Sequence, residues 1–176
     1  MTRTYPDTPA ERFPEPPLSF EDAAGREIEV RTAGPADREA LLEMYRDFEP
    51  EDRAQGIPPV REEAIRDWLA AVVTDESYSV VAWHGADAVG HAVLVPDDTG
   101  AYELAIFVLN DYQGATIGTK LLRGLLGAAQ ADGAARVWLT VERWNDPAIR
   151  LYDKVGFEEM DTSSYELEMS IRLAAE

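Results

Sequence analysis

The spacing of apolar and polar positions divides the chain into short alternating strands and helices. Arg26–Thr32 alternates polar and apolar side chains, the period of a half-buried strand. Gly34-Pro35-Ala36-Asp37 reads as a turn and helix start. Leu41, Leu42, Met44, Tyr45 and Phe48 follow at helical spacing, which predicts a helix over 36–48. Residues 49–60 hold three prolines and Gly56 and read as a loop. A second helix, 61–73, places Ile65, Trp68, Leu69 and Val72 on one face. Tyr78–His84 and Ala88–Val95 are apolar runs split by Gly85-Ala86-Asp87, a hairpin pattern. The turn Asp97-Asp98-Thr99-Gly100 leads to a strand over 101–109. The helix predicted over 117–131 buries Ile117, Leu121, Leu122, Leu125 and Leu126. Gly124 and Gly127 weaken it by up to about 1 kcal/mol each, unless close packing needs them. A strand over 136–141 precedes a helix over 146–154, opened by Asp146-Pro147 and ended by Gly156. Residues 157–171 supply a last strand or strand pair.

This order, β-α-α-β-β-β-α-β-α-β, implies an α/β (α+β) fold with a mixed sheet and helices on both faces. Residues 1–25 carry prolines at 6, 9, 14, 16 and 17 with little periodicity, and are expected to form an extended arm. Residues 26–176 are expected to form a single domain.

Composition narrows the function classes. With 34 acidic against 16 basic residues the net charge is −18, which argues against nucleic-acid binding. Only Lys120 and Lys154 among the basic residues are lysines. The acids are spread along the chain instead of forming one block, so they read as solvent adaptation, the pattern of a halophile's cytoplasmic protein. There are no cysteines, which excludes disulfides and cysteine nucleophiles, and only His84 and His91 could offer imidazole, so no metal site is expected. His84 and His91 lie in or beside strands and carry little promise of catalysis. No apolar run is long enough for a membrane span, and the first residues lack an apolar signal core, so a cytoplasmic location is expected.

The most informative stretch is 102–118, Tyr-Glu-Leu-Ala-Ile-Phe-Val-Leu-Asn-Asp-Tyr-Gln-Gly-Ala-Thr-Ile-Gly. An apolar strand runs into a short glycine-bearing loop that opens a helix. Such a junction aims several backbone N–H groups at one point, at the positive end of the helix dipole, and suits a phosphate. Val108 is followed five residues later by Gln113-Gly114-Ala115-Thr116-Ile117-Gly118. Beyond the next strand come Asn145, then Leu151-Tyr152, then Gly156-Phe157.

These motifs strongly resemble the GNAT superfamily of acyl-coenzyme-A-dependent N-acetyltransferases, over about residues 26–170 and most sharply over 102–157. The resemblance implies a mostly antiparallel six- to seven-stranded sheet with splayed central strands. It implies acetyl-CoA as co-substrate, an amine as acceptor, no metal, and the possibility of a homodimer. The loop N–H groups of Gln113, Gly114, Ala115, Thr116, Ile117, Gly118 and Thr119 would hold the coenzyme pyrophosphate. Phe107 and Val108 would pair with the pantetheine arm, and one of their N–H groups would polarise the thioester carbonyl. Tyr152 would protonate the leaving thiolate. Asn145 would hold pantetheine or an ordered water, and it also suits a helix N-cap. Glu103 is the first choice for the base that neutralises the attacking amine. Two departures stand out. Gln113 replaces the commoner arginine and removes a positive charge. Thr116 stands where glycine is usual; a β-branched residue resists positive φ, so an ordinary backbone conformation is expected there. Repulsion between an anionic coenzyme and a −18 chain predicts tighter binding in molar KCl than in dilute buffer. A non-catalytic acyl-CoA-binding sensor is the alternative. The 49–59 loop would shape acceptor choice, and Trp144 could line the acceptor's entrance.

Overall fold

The computed structural model describes residues 3–48, 59–114, 116–160 and 165–175. Among them run β1 (Leu18–Glu21), β2 (Glu27–Thr32), α1 (Arg38–Arg46), α2 (Glu62–Val72), β3 (Tyr78–His84), β4 (Asp87–Pro96) and β5 (Tyr102–Val108). After these come α3 (Ile117–Ala131), β6 (Arg136–Glu142), α4 (Asp146–Val155), β7 (Glu158–Glu159) and β8 (Glu166–Arg172). The eight strands form one sheet in the order β1-β2-β3-β4-β5-β6-β8-β7. Every pairing is antiparallel except β5 with β6. The sheet has more strands than the six or seven expected, because Leu18–Glu21 pair with β2 and the two-residue β7 pairs with β8. The predicted 49–59 loop falls almost wholly outside the described residues.

Alternation along the central strands separates two cores. Val80 and Ala82 of β3 face a core with Leu121, Leu122, Leu125 and Leu126 of α3. Their neighbours Val81 and Trp83 face a second core with Leu41, Tyr45, Ile65 and Leu69 of α1 and α2. The helices therefore cover both faces of the sheet, as the hydrophobic pattern predicts. At Gly127 of α3 a Cβ would lie 1.9 Å from the Pro14 carbonyl oxygen. Gly124 sits against Val30 and Leu18, so close packing accounts for both glycines. The expected arm is ordered against this helix: Phe13 is buried in the α3 core, and its N–H donates to Gln130 Oε1 at 2.8 Å. Residues 3–6 reach β8, where Ser170 Oγ donates to the Thr4 carbonyl at 2.9 Å and Arg172 Nε to the Pro6 carbonyl at 2.6 Å.

Candidate active site

The one parallel pairing breaks off early. β5 and β6 are joined only at Tyr102↔Val137 and Glu103↔Trp138, although β5 continues to Val108 and β6 to Glu142. On its other side β5 pairs with β4 along its whole length, Pro96↔Tyr102 through Gly90↔Val108. The central strands are splayed, and a cleft opens between them. It has a volume of about 470 Å³ and is lined by β5 from Glu103 to Val108, by Thr140, Val141 and Glu142 of β6, and by Pro147, Leu151 and Tyr152 of α4.

Register decides which backbone groups face this cleft. The Leu109 N–H donates to the Val89 carbonyl at 3.0 Å. In an antiparallel pair the groups facing a given neighbour alternate along the strand, so Phe107, opposite His91, also spends its N–H on β4. The N–H groups of Ile106 and Val108 point the other way, into the cleft, beyond the last residue paired with β6. A half-buried strand edge with unpaired donors is suited to an extended amide-bearing chain laid alongside it. Of the two candidates for the polarising donor, the Val108 N–H faces the cleft and the Phe107 N–H does not.

At the end of β5 a 3-10 turn, Asn110–Tyr112, carries the chain to the glycine loop and α3. Gln113 Nε2 donates to the Val108 carbonyl at 3.0 Å, tying the loop back to the strand. Gly114 has φ +71° and Thr116 φ +72°. The expectation of an ordinary conformation at Thr116 is therefore corrected. The chain must reverse sharply between β5 and the start of α3, and Thr116, its N-terminal flanking residue, adopts the left-handed region at a cost of about 1–2 kcal/mol. Gln113, Gly114 and Gly118 line the cleft, whereas Thr116, Ile117 and Thr119 do not. The Ile117 side chain is fully buried in the α3 core, so only its backbone could serve a ligand. Ala115 lies outside the described residues. Asn145 caps α4, its Oδ1 accepting from the Ala148 N–H at 3.3 Å, and it also lines the cleft, so the two roles expected of it are compatible.

Tyr152 lies in the cleft wall and is nearly buried, and that burial pushes its phenol up to about 12. It stays protonated at neutral pH and can act only as a proton donor there. Glu103 stands at the far end of the cleft. Desolvation raises its pKa above the usual carboxylate range; Arg3 draws it back, while Asp97, Glu166 and Glu168 push it further up. Trp138 is buried, its Nε1 donating to Asp97 at 2.9 Å, as expected of a core residue. Trp144, beside Asn145, is 74% exposed and is not part of the cleft wall.

Sequence reasoning did not find the clamp that holds the loop. Asp22, in the β1–β2 turn, accepts from the N–H groups of Ala24 and Arg26 and from Arg26 Nε at 2.7 Å. The Arg26 guanidinium lies 3.9 Å over the Tyr112 ring and donates to the Asp111 carbonyl at 3.2 Å. From the other side His84 Nδ1 meets the Tyr112 hydroxyl at 2.6 Å. These partners are 28 to 86 residues from Tyr112 in sequence, so no local pattern reveals them. His91 is part of a different network. It is fully buried, bonded to the Tyr45 hydroxyl at 2.6 Å and to Ser79 Oγ at 2.7 Å. Desolvation lowers its pKa to about 3, so it stays neutral.

The splayed strands, the glycine loop and the capped α4 coincide with a match to the model of the acetyltransferase (GNAT) family over residues 38–157. The chain belongs to the acetyltransferase (GNAT) family. An N-acetyltransferase of Mycobacterium tuberculosis, named as uncharacterized, is 34% identical over 101 residues. That stretch covers 56% of this chain and 65% of the relative's own length. The GNAT domain of S. lividans PAT shares the fold at TM-score 0.77 and 18% identity, covering 89% of this chain and 97% of that one. The yncA protein of Salmonella typhimurium, solved with its cofactor acetyl-CoA, has TM-score 0.67 and 21% identity, covering 85% of this GNAT chain and 95% of its own. A ribosomal-protein-alanine N-acetyltransferase from Brucella melitensis has TM-score 0.67 and 26% identity over 82% of this chain and 99% of that one. Among the described residues no helix is long and apolar enough to cross a membrane, and no three His, Asp or Glu side chains are grouped to hold a metal ion.

Proposed function

We propose that the protein moves an acetyl group from acetyl-CoA to a primary amine by direct attack. The observation that carries this reading is the β5–β6 cleft: two unpaired strand N–H groups, Ile106 and Val108, end at a helix-opening loop, with Tyr152 in the wall. The pantetheine arm would lie along β5 as an added strand, and the pyrophosphate would meet the N–H groups of residues 113–119 at the start of α3. Gln113 brings no charge to that loop, so aligned N–H groups and the helix dipole carry the phosphate contact.

The acceptor nitrogen, freed of its extra proton by Glu103 directly or through water, attacks the thioester carbon. The Val108 N–H stabilises charge growing on the carbonyl oxygen. The carbon–sulfur bond then breaks, Tyr152 gives its proton to the departing thiolate, and the proton released by the acetylated nitrogen restores the Tyr152 phenol directly or through water. The products are an N-acetyl amine and free coenzyme A. The carboxylates around Glu103 favour a cationic acceptor, in keeping with either a small amine or a protein lysine or N-terminus. We read the acid excess as adaptation to strong salt in a cytoplasmic setting, where a screening length of about 3 Å at 1 M salt removes the repulsion between coenzyme and protein.

The test is a thiol-release screen in molar KCl over polyamines, amino acids, aminoglycosides and lysine peptides. Thiol release that depends on one class of amine is expected. Acetyl-CoA binding without amine-dependent release would contradict transfer and leave an acyl-CoA-binding module.

A further inference from the structure

We propose a second ligand site, for a phosphate-bearing anion, between the α3–α4 pair and the N-terminal arm. This inference does not depend on acetyl transfer. A cavity of about 480 Å³ lies there and shares no lining residue with the β5–β6 cleft. Arg12, Arg123, Lys154 and Arg172 line it, against Glu11 and Glu158. In a chain of net charge −18 this is an inversion: acids outnumber bases two to one overall, and bases outnumber acids two to one here.

Three of these cations are also left without anionic partners among the described residues. The ion pairs among the described residues use Arg3, Arg26, Arg31, Arg46 and Arg66, and neither Arg12, Arg123 nor Lys154 appears in one. Arg123 has its Nε–H buried with no acceptor. A buried donor left unmade is costly, and an anion oxygen in the cavity would satisfy it. Arg172 is fixed by its bond to the Pro6 carbonyl, so one cation is preorganised at the wall. The size suits a small ligand, and fixed guanidinium groups match phosphate oxygens better than a point charge does. Arg123 and Lys154 lie six and eight residues into their helices, about 9 and 12 Å from the helix starts that border the cleft. Binding here would fasten the arm to both helices that frame the coenzyme cleft.

The experiment is calorimetric titration of inorganic pyrophosphate into the full chain already saturated with coenzyme A, at constant ionic strength. Arg12→Gln and Lys154→Gln serve as variants, both at exposed positions and checked by circular dichroism for an unchanged fold. One pyrophosphate per chain is expected, with its Kd raised about tenfold by each substitution. Absence of binding to the saturated protein, or binding indifferent to both substitutions, would overturn the proposal. Coenzyme A and dephospho-coenzyme A are titrated into both variants as the second arm. Equal affinities for wild type and variants are expected. A tenfold loss for coenzyme A alone would also overturn the proposal, since the cavity would then receive the coenzyme's own 3′-phosphate.

Discussion

Replacing Gly127 by alanine should detach the N-terminal arm from α3. The new Cβ would lie 1.9 Å from the Pro14 carbonyl oxygen, 2.6 Å from its carbon and 3.2 Å from the Phe13 carbonyl oxygen. All three atoms are backbone, so no change of rotamer relieves the clash and the arm must lift. Phe13, 8% exposed and part of the α3 core, then returns to water at a cost of about 1.5–3 kcal/mol. The bond from the Phe13 N–H to Gln130 adds about 1 kcal/mol. Alanine's better helix propensity returns about 1 kcal/mol. The net loss of about 1.5–3 kcal/mol lowers Tm by roughly 3–12 °C for a chain of this length. The comparison variant is Gly124→Ala, whose Cβ meets side chains and no backbone: Val30 at 3.2 Å and Leu18 at 3.3 Å, which can shift, and Pro16 at an ordinary 3.7 Å. Thermal unfolding of both variants is the assay. A Gly127→Ala protein as stable as the parent, or more so, would refute the packing of the arm on α3.

Three further outcomes are expected. Glu103→Gln should lower the transfer rate near neutral pH and recover partly in alkali. The raised Glu103 pKa puts its basic form above the usual carboxylate range, and at high pH the amine loses its proton unaided; an unchanged pH–rate profile removes Glu103 from the mechanism. Arg26→Ala should raise KM for acetyl-CoA by up to about tenfold while kcat changes little, because the cation–π contact with Tyr112 holds the loop and not the reacting atoms; a fall in kcat at constant KM would contradict that role. His91 is held neutral down to about pH 3, whereas unfolded histidine takes a proton near 6.5. As pH falls through 6.5 the unfolded state takes up one more proton, and the loss of stability steepens towards about 1.4 kcal/mol per pH unit. Denaturant titrations between pH 6.5 and 5.5 should show a shallower dependence for His91→Gln, and equal slopes would count against it.

The hydrophobic periods placed each helix and the central strands within a residue or two, because burial on one face fixes both period and phase. Tyr78–His84 and the span 117–131 coincide with β3 and α3. The glycine loop, Asn145 and Tyr152 stand out in the sequence because each belongs to a short motif, and Gln113, Gly114, Gly118, Asn145 and Tyr152 line one cleft. What escaped was non-local. The order of the arm depends on Gly127 and Gln130, more than a hundred residues away, and a proline-rich segment carries no period that announces such a contact. Thr116 misled because the steric rule against positive φ is a cost, not a prohibition. Geometry at the strand–helix junction imposes it. The Arg26–Tyr112–His84 clamp joins three elements that only the sheet brings together.

The central claim is that the β5–β6 cleft is a transferase site with Tyr152 as the proton donor. The direct measurement is the rate of thiol release from saturating acetyl-CoA, with and without an accepted amine, for wild type and Tyr152→Phe, alongside calorimetric binding of acetyl-CoA to both. The account predicts equal acetyl-CoA affinity and about a hundredfold slower amine-dependent release in the variant. Equal release rates in the two proteins, or no amine-dependent release from wild type, would contradict it.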